Sequence, residues 1–242
     1  MKNAGALIFG YNEYAFEVAK NVLHKYEDVH IFKLKEDIDK LEESEVFSVK
    51  SFDLSDKWDD LKNDFDLENS TVFCALEDDA QNIFLTISLR ASFKGLTIIA
   101  LSKNRESANK LSLAGANKVI PLVQTTAGII TDILEKPIVT EVLHKILYEK
   151  SSLKIAQIQV QKDNIFEGKY PSDVEWSKEH GIIVLSVIQK DMSSTFIYSS
   201  KAKHHKIISG DIFVVVGYEN DIVEFENLIG GRCDVDWCNW SW

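Results

Sequence analysis

Six residues following the first apolar run, Gly10-Tyr11-Asn12-Glu13-Tyr14-Ala15, have the spacing of a phosphate-binding loop between a strand and a helix. In a Gly-x-Gly-x-x-Gly loop the first glycine makes the tight turn and the second lets the backbone approach a pyrophosphate. The third allows the helix to pack closely. Gly10 keeps the first role, and Ala15 is small enough for the third. Asn12 stands where the second glycine would admit phosphate. Glu13 adds negative charge at a helix N-terminus that would otherwise attract an anion. An acid at the end of the second strand should hold a ribose hydroxyl; that position reads Lys33, with Glu36 and Asp37 just beyond. The spacing is that of a nucleotide loop, and its chemistry disfavours ordinary NAD.

Three further acidic residues, Glu77, Asp78 and Asp79, follow a fourth strand beside the same cleft. They leave room for a divalent cation, although Asp79 can simply cap the helix that follows. His204-His205 reads as a polar hairpin loop or as a metal or proton sensor. Cys74, Cys233 and Cys238 show no metal-ligand spacing, so neither disulfides nor zinc is expected and a reducing compartment fits. No Tyr-x-x-x-Lys pair, Gly-x-Ser-x-Gly elbow or His-Glu-x-x-His helix occurs, and no catalytic residue is assigned.

The elements that must position these residues alternate. Gly5 to Phe9 is a buried strand. Ala15, Val18, Ala19, Val22 and Leu23 then mark one face of a helix. Strands follow at Val29 to Phe32, Val46 to Val49, Thr71 to Ala75, Leu96 to Ala100 and Lys118 to Ile120. Helices are expected over Asn82 to Ser92 and Arg105 to Ala114. Alternating strands and helices imply an α/β, Rossmann-like, doubly wound parallel sheet covered on both faces. After Pro121 two consecutive helices break at Pro137, as an arm would. From Ile155 the period changes to two, with strands at Ile182 to Ile188, Phe196 to Tyr198 and Ile212 to Val216 and a last helix over Asn220 to Ile229. The expected organisation is a sheet domain over 1–121, a helical crossover over 122–150, a smaller α+β domain over 151–231 and a tail over 232–242.

Among 242 residues, 27 Lys and Arg oppose 38 Asp and Glu, a formal net charge of -11. Such a chain lacks the basic surface that tracks a nucleic-acid backbone, so nucleic acid is excluded as a partner. The runs Glu36 to Glu45 and Asp53 to Glu68 carry much of the acidity and read as solvated faces. No apolar run is long enough to span a membrane and no secretory signal is evident, so a cytoplasmic location is expected. The Trp-rich tail, Cys233 to Trp242, has no assigned role.

The order of these motifs resembles the TrkA/RCK domains that regulate potassium channels and transporters. The resemblance rests on Asp79 to Asn82 at the fourth strand and on Leu111-Ser-Leu-Ala-Gly-Ala-Asn-Lys-Val-Ile120. Asp53 after the third strand and Gly210-Asp-Ile-Phe-Val-Val-Val-Gly217 near the end complete it. It implies a ligand cleft at Gly10, Tyr11, Asn12, Glu13, Lys33, Asp53, Glu77, Asp79 and Asn82. It implies pairing of two copies through the helical arm, with Ile130, Val139 and Leu143 at the interface; Ile83 and Ile87, on a helix over Asn82 to Phe93 that is apolar on more than one face, are a further expected subunit contact. Such homodimers often build rings of eight beneath a membrane potassium pore, fused to the chain or separate. Family ligands include NAD(H), adenine nucleotides and divalent cations; here the ligand stays open. The leading expectation is a non-enzymatic gating domain. The alternatives are a separate regulatory subunit of a potassium uptake transporter, a ligand-free scaffold, and, disfavoured by the loop, an NAD(P)-dependent oxidoreductase.

Overall fold

The computed structural model describes residues 5–26, 28–37, 47–148, 152–189, 194–196 and 205–229. The chain divides into two compact units, the first running to Thr131 and the second starting at Asp132.

The first unit is built on a six-stranded parallel sheet. Its strands are β1 (Gly5–Phe9), β2 (Asp28–Leu34), β3 (Ser48–Phe52), β4 (Thr71–Cys74), β5 (Thr97–Ser102) and β6 (Lys118–Pro121), in the order β3-β2-β1-β4-β5-β6. The helices between them are α1 (Glu13–Val22), α2 (Asp59–Asp64), α3 (Asp79–Ser92) and α4 (Arg105–Leu113). Period-two alternation divides β1 between two cores. Leu7 and Phe9 face one side with Phe32, Phe52, Trp58 and Leu85, while Ala6 and Ile8 face the other with Ala15, Ala19 and Ile31. Phe9 anchors the first core, stacked on Phe32 at 4.5 Å between centroids and edge-on to Phe52 at 5.0 Å. The α/β doubly wound expectation therefore holds.

Two local expectations change. The run from Asp53 to Glu68 is more than a solvated face: Trp58, Leu61 and Phe65, spaced three and four apart around α2, are buried among the aromatic side chains. Seven acidic residues in the run hid that stripe. The helix expected from Asn82 begins three residues earlier, and Asp78 rather than Asp79 caps it, its Oδ1 accepting from the Gln81 N–H at 2.9 Å. Asp79 is thereby released for another contact.

From Pro121 the chain enters α5 (Leu122–Glu135), and α6 (Pro137–Tyr148) follows with proline in its first position. Thr140 Oγ1 donates to the carbonyls of Asp132 and Lys136, both at 3.0 Å, fixing the break between the helices. Val123, Ile130, Ile133 and Leu134 on α5 and Val139, Val142 and Leu143 on α6 are all exposed.

In the second unit β7 (Leu153–Gln159), β8 (Ile182–Ile188), β9 (Ser194–Phe196) and β10 (Ile212–Tyr218) form an antiparallel sheet ordered β7-β10-β8-β9. Helices α7 (Trp176–His180) and α8 (Glu219–Ile229) accompany it. Phe166, Trp176, Phe213 and Phe225 make its aromatic core. His205, expected in a polar loop, is tied down: its Nε2 lies 2.7 Å from Oδ2 of the fully buried Asp211, which also accepts from the Ile208 N–H at 3.0 Å. His204 and the Trp-rich tail lie outside the described residues, as do Ile197 and Tyr198 of the expected Phe196–Tyr198 strand.

Candidate functional site

Strand order reverses direction between β1 and β4, and open α/β sheets hold ligands in the crevice beyond the strand ends at such a point. Gly10 makes the turn there with φ of +148°, and a Cβ at this position would collide with the Ala75 carbonyl. Only glycine lets the tips of β1 and β4 approach this closely. The Gly10 N–H donates to the Phe32 carbonyl at 2.9 Å, joining the tip to β2 as well.

Asn12 is committed at both ends of its amide. Its Oδ1 accepts from the Ala15 N–H at 3.0 Å and caps α1, while its Nδ2 donates to the Ala75 carbonyl at 2.7 Å. The residue that replaces the phosphate glycine thus supplies from within the chain the acceptor that a phosphate oxygen would bring to the helix. Glu13 follows, exposed in the first turn of the helix.

Two clefts flank this tip. The first, about 290 Å³, opens toward β5, where Glu13, Tyr14, Glu77, Asp79, Ser102 and Lys103 line it. The second, about 300 Å³, opens toward β2, bordered by Tyr11, Leu34, Glu36, Asp37, Asp78 and Gln81. Asn12, Leu76 and Glu77 contribute to both. Acidic side chains outnumber the single Lys103 across the pair. No group of three or more His, Cys, Asp or Glu side chains among the described residues is arranged to hold a metal ion.

The residues expected at the cleft divide by role. Gly10, Tyr11, Asn12, Glu13, Glu77 and Asp79 gather at the tip. Asn82 is buried and takes up backbone groups: its Oδ1 accepts from the Leu76 N–H at 2.9 Å, and its Nδ2 donates to the carbonyls of Leu76 and Leu101, both at 3.1 Å. It positions the cleft walls. Asp79 accepts from the Lys103 N–H at 3.2 Å and from Asn104 Nδ2 at 3.0 Å, linking the starts of α3 and α4. Lys33 is buried, its Nζ 5.0 Å from the centre of the Tyr11 ring. Glu36 and Asp37, in the 3-10 turn after β2, line the cleft instead. Asp53 lines neither cleft. Its Oδ1 accepts from the Ser55 hydroxyl at 2.6 Å and the Ser55 N–H at 2.8 Å, and these bonds, the hydroxyl's first, hold its carboxyl below the usual range. Sequence reasoning missed Tyr14, Gln81, Ser102, Lys103 and Leu122. Ser102 and Lys103 follow a strand end directly, and that position was the available signal.

With this geometry in place, residues 6–122 match the family model of the TrkA-N domain. The chain carries a TrkA-N domain. A curated relative, the "Probable potassium channel protein 2" of Methanocaldococcus jannaschii, is 22% identical over 164 residues, covering 65% of this chain and 46% of that protein. The chain therefore spans about half the length of the relative it matches. Among solved structures, the human SLO3 gating ring overlays 91% of this chain and 45% of its own at a TM-score of 0.63 and 12% identity, which establishes a shared fold. The GsuK RCK domain overlays 95% of this chain and 47% of its own, with a TM-score of 0.47 and 16% identity. No helix of the described residues is long and apolar enough to cross a membrane.

Of the expected contact residues, Ile87, Ile130, Val139 and Leu143 are about half exposed, whereas Ile83 packs partly against the first core. Ile83 and Ile87 lie one turn apart on the same side of α3, Ile83 reaching the core and Ile87 remaining exposed.

Proposed function

We propose that this TrkA-N chain is a cytosolic regulatory domain that controls potassium flux through a membrane pore, acting by ligand-dependent rearrangement of two paired copies. The observation that carries the reading is the double commitment of Asn12. It preserves the switch-point cleft of a nucleotide-binding sheet while supplying its own substitute for the phosphate. A site of that kind can change shape with occupancy, yet it has lost the anchor by which a hydride-transferring enzyme holds its dinucleotide. Regulation then follows from differential affinity, since a ligand moves a two-state equilibrium only by binding one state better.

Pairing through a crossover over 122–150 is supported by the apolar stripe of α5 and α6, where Ile130, Val139 and Leu143 are exposed at 54%, 53% and 46%. A face of this kind is an expected subunit contact. The pore is either fused to the chain or a separate protein; the resemblance to a channel protein favours the first.

The test is a chromosomal Val139→Asp/Leu143→Asp variant. Buried in a contact, each carboxylate would be strongly unfavourable. The variant should halve the mass of the assembly in light scattering and change the rate of rubidium influx in potassium-starved cells. Unchanged influx with a halved mass would refute the regulatory role; an unchanged mass would refute the crossover pairing.

A further inference from the structure

We infer that the C-terminal tail of this chain, from Gly231 to Trp237, adds a fifth strand to the sheet of the second unit, along the outer edge of β7 and antiparallel to it. Residues 230–242 lie outside the described residues, whereas the edge they would cover lies within them. β7 stands at one end of the order β7-β10-β8-β9, and among the described residues it pairs with β10 alone. In an antiparallel ladder the backbone groups of alternate residues point to opposite neighbours. The Val160 N–H donates to the Asp211 carbonyl at 2.8 Å, on the β10 side. Counting back in twos, Ile158, Ala156 and Lys154 face β10 as well, so Gln159, Gln157 and Ile155 present their N–H and C=O groups outward. Those groups have no partner among the described residues. An edge of this kind is a template for another strand.

One bond fixes where the tail enters. The Gln161 N–H, next in the outward series, donates to the carbonyl of Ile229, the last residue of α8, at 3.1 Å. The chain therefore leaves α8 already beside the C-terminal end of β7. Gly230-Gly231 follows at once, the composition of a helix stop and reversal, and a reversed chain runs antiparallel to β7. Continuing the register of the Gln161–Ile229 bond sets Gly231 opposite Gln159 and Trp237 opposite Leu153, which matches the 7 residues of β7. A tether this short holds the tail at the edge at a local concentration that a separate copy does not reach.

The side chains agree with that register. Ile155, Val216 and Ile183 form one row across the sheet and Leu153 and Tyr218 the next, on the face away from Ala156, Val215 and Val184 of the core. Ile183 and Tyr218 are about half exposed. Val235 and Trp237, residue types favoured in strands, extend those two rows. Asp236, on the other face, comes to lie across from Lys154 as an opposite-charge pair. A slip of one residue would instead move Asp234 and Asp236 onto the apolar rows.

Cysteine pairs in a Cys233→Ser/Cys238→Ser background of the full chain test the register. Lys154 and Asp236 would face each other as a non-hydrogen-bonded pair, with Cα atoms about 4.5 Å apart, close enough for a disulfide. Lys154→Cys/Asp236→Cys should cross-link within one chain on mild oxidation with diamide. Lys154→Cys/Val235→Cys, a slip of one, should link at least about tenfold more slowly. Amide exchange followed by NMR on the unaltered chain is the second readout and depends on no cysteine variant. The Ile155, Gln157 and Gln159 amides should be protected, and Val235→Pro should speed their exchange at least about tenfold while leaving Ala156 and Ile158 slow. Unprotected exchange at those three amides, equal linking of both cysteine pairs, or protection unchanged by Val235→Pro would each overturn the inference. Cross-links between chains, with protection that rises with protein concentration, would overturn it in favour of a second copy at the same edge.

Discussion

Replacing Asn12 by glycine restores the sequence of a phosphate loop and tests whether this side chain is what closes it. Two opposite effects follow from the structure. The stability cost has two parts: loss of the cap on α1, and loss of the bond from Nδ2 to the Ala75 carbonyl at 2.7 Å. Glycine at an N-cap costs only a few tenths of a kcal/mol relative to asparagine. A lost hydrogen bond costs about 1 kcal/mol. The sum is about 1 to 1.5 kcal/mol, which at an ordinary denaturant slope moves the urea midpoint by roughly 0.5 M. The gain is in anion affinity, since the Ala15 N–H becomes available to phosphate. Adding Glu13→Gln removes an exposed charge from beside it, worth roughly fourfold for each unit of phosphate charge at about 5 Å in water. ADP titrated into the wild type, Asn12→Gly and the double variant should therefore bind progressively more tightly, and the wild type most weakly. If the wild type binds ADP as tightly as Asn12→Gly, the side chain does not occupy the phosphate position and the argument fails. If urea unfolding of Asn12→Gly matches the wild type, the bond to Ala75 contributes nothing.

Two further outcomes are expected. Complete burial pushes the Cys74 thiol up to about 12, so in a Cys233→Ser/Cys238→Ser background native protein should resist iodoacetamide near neutral pH and react only on unfolding; rapid labelling of the folded chain would show that the strand end opens readily. Burial, and secondarily the Lys50 ammonium, hold His30 below its usual value, while Asp28 and Asp64 act in the opposite direction and its ring lies 4.8 Å from that of Phe65. Below about pH 6.5 the unfolded chain therefore binds the proton more readily than the folded one, and stability falls with pH in that window and is level above it. His30→Gln should gain on the wild type as pH drops from 7 toward 5.5; a constant difference between the two would contradict the assignment.

Much of the first unit was legible because its signals are local. Strand-length apolar runs, helical stripes such as Ala15 and Ala19, and a glycine between the first strand and helix all follow from backbone geometry over a few residues. The same locality misled at the acidic run after Asp53, where charge density concealed Trp58, Leu61 and Phe65. It misled also at Asp79, because adjacent aspartates compete for one cap and a single bond, from Gln81 N–H to Asp78, decides between them.

The sequence by itself determined that a phosphate loop is present with the wrong residues in it, since the identity and spacing of Gly10, Asn12 and Glu13 are properties of the chain alone. Only the tertiary structure decided what those residues do instead. Asn12 reaches Ala75, 63 residues distant, and Asn82 joins Leu76 to Leu101 across β4 and β5. Lys33 withdraws beneath Tyr11 and leaves the cleft to Glu36 and Asp37. Those partners come together because a parallel sheet brings distant strand ends to one edge, and no pattern along the chain records which side chains will meet there.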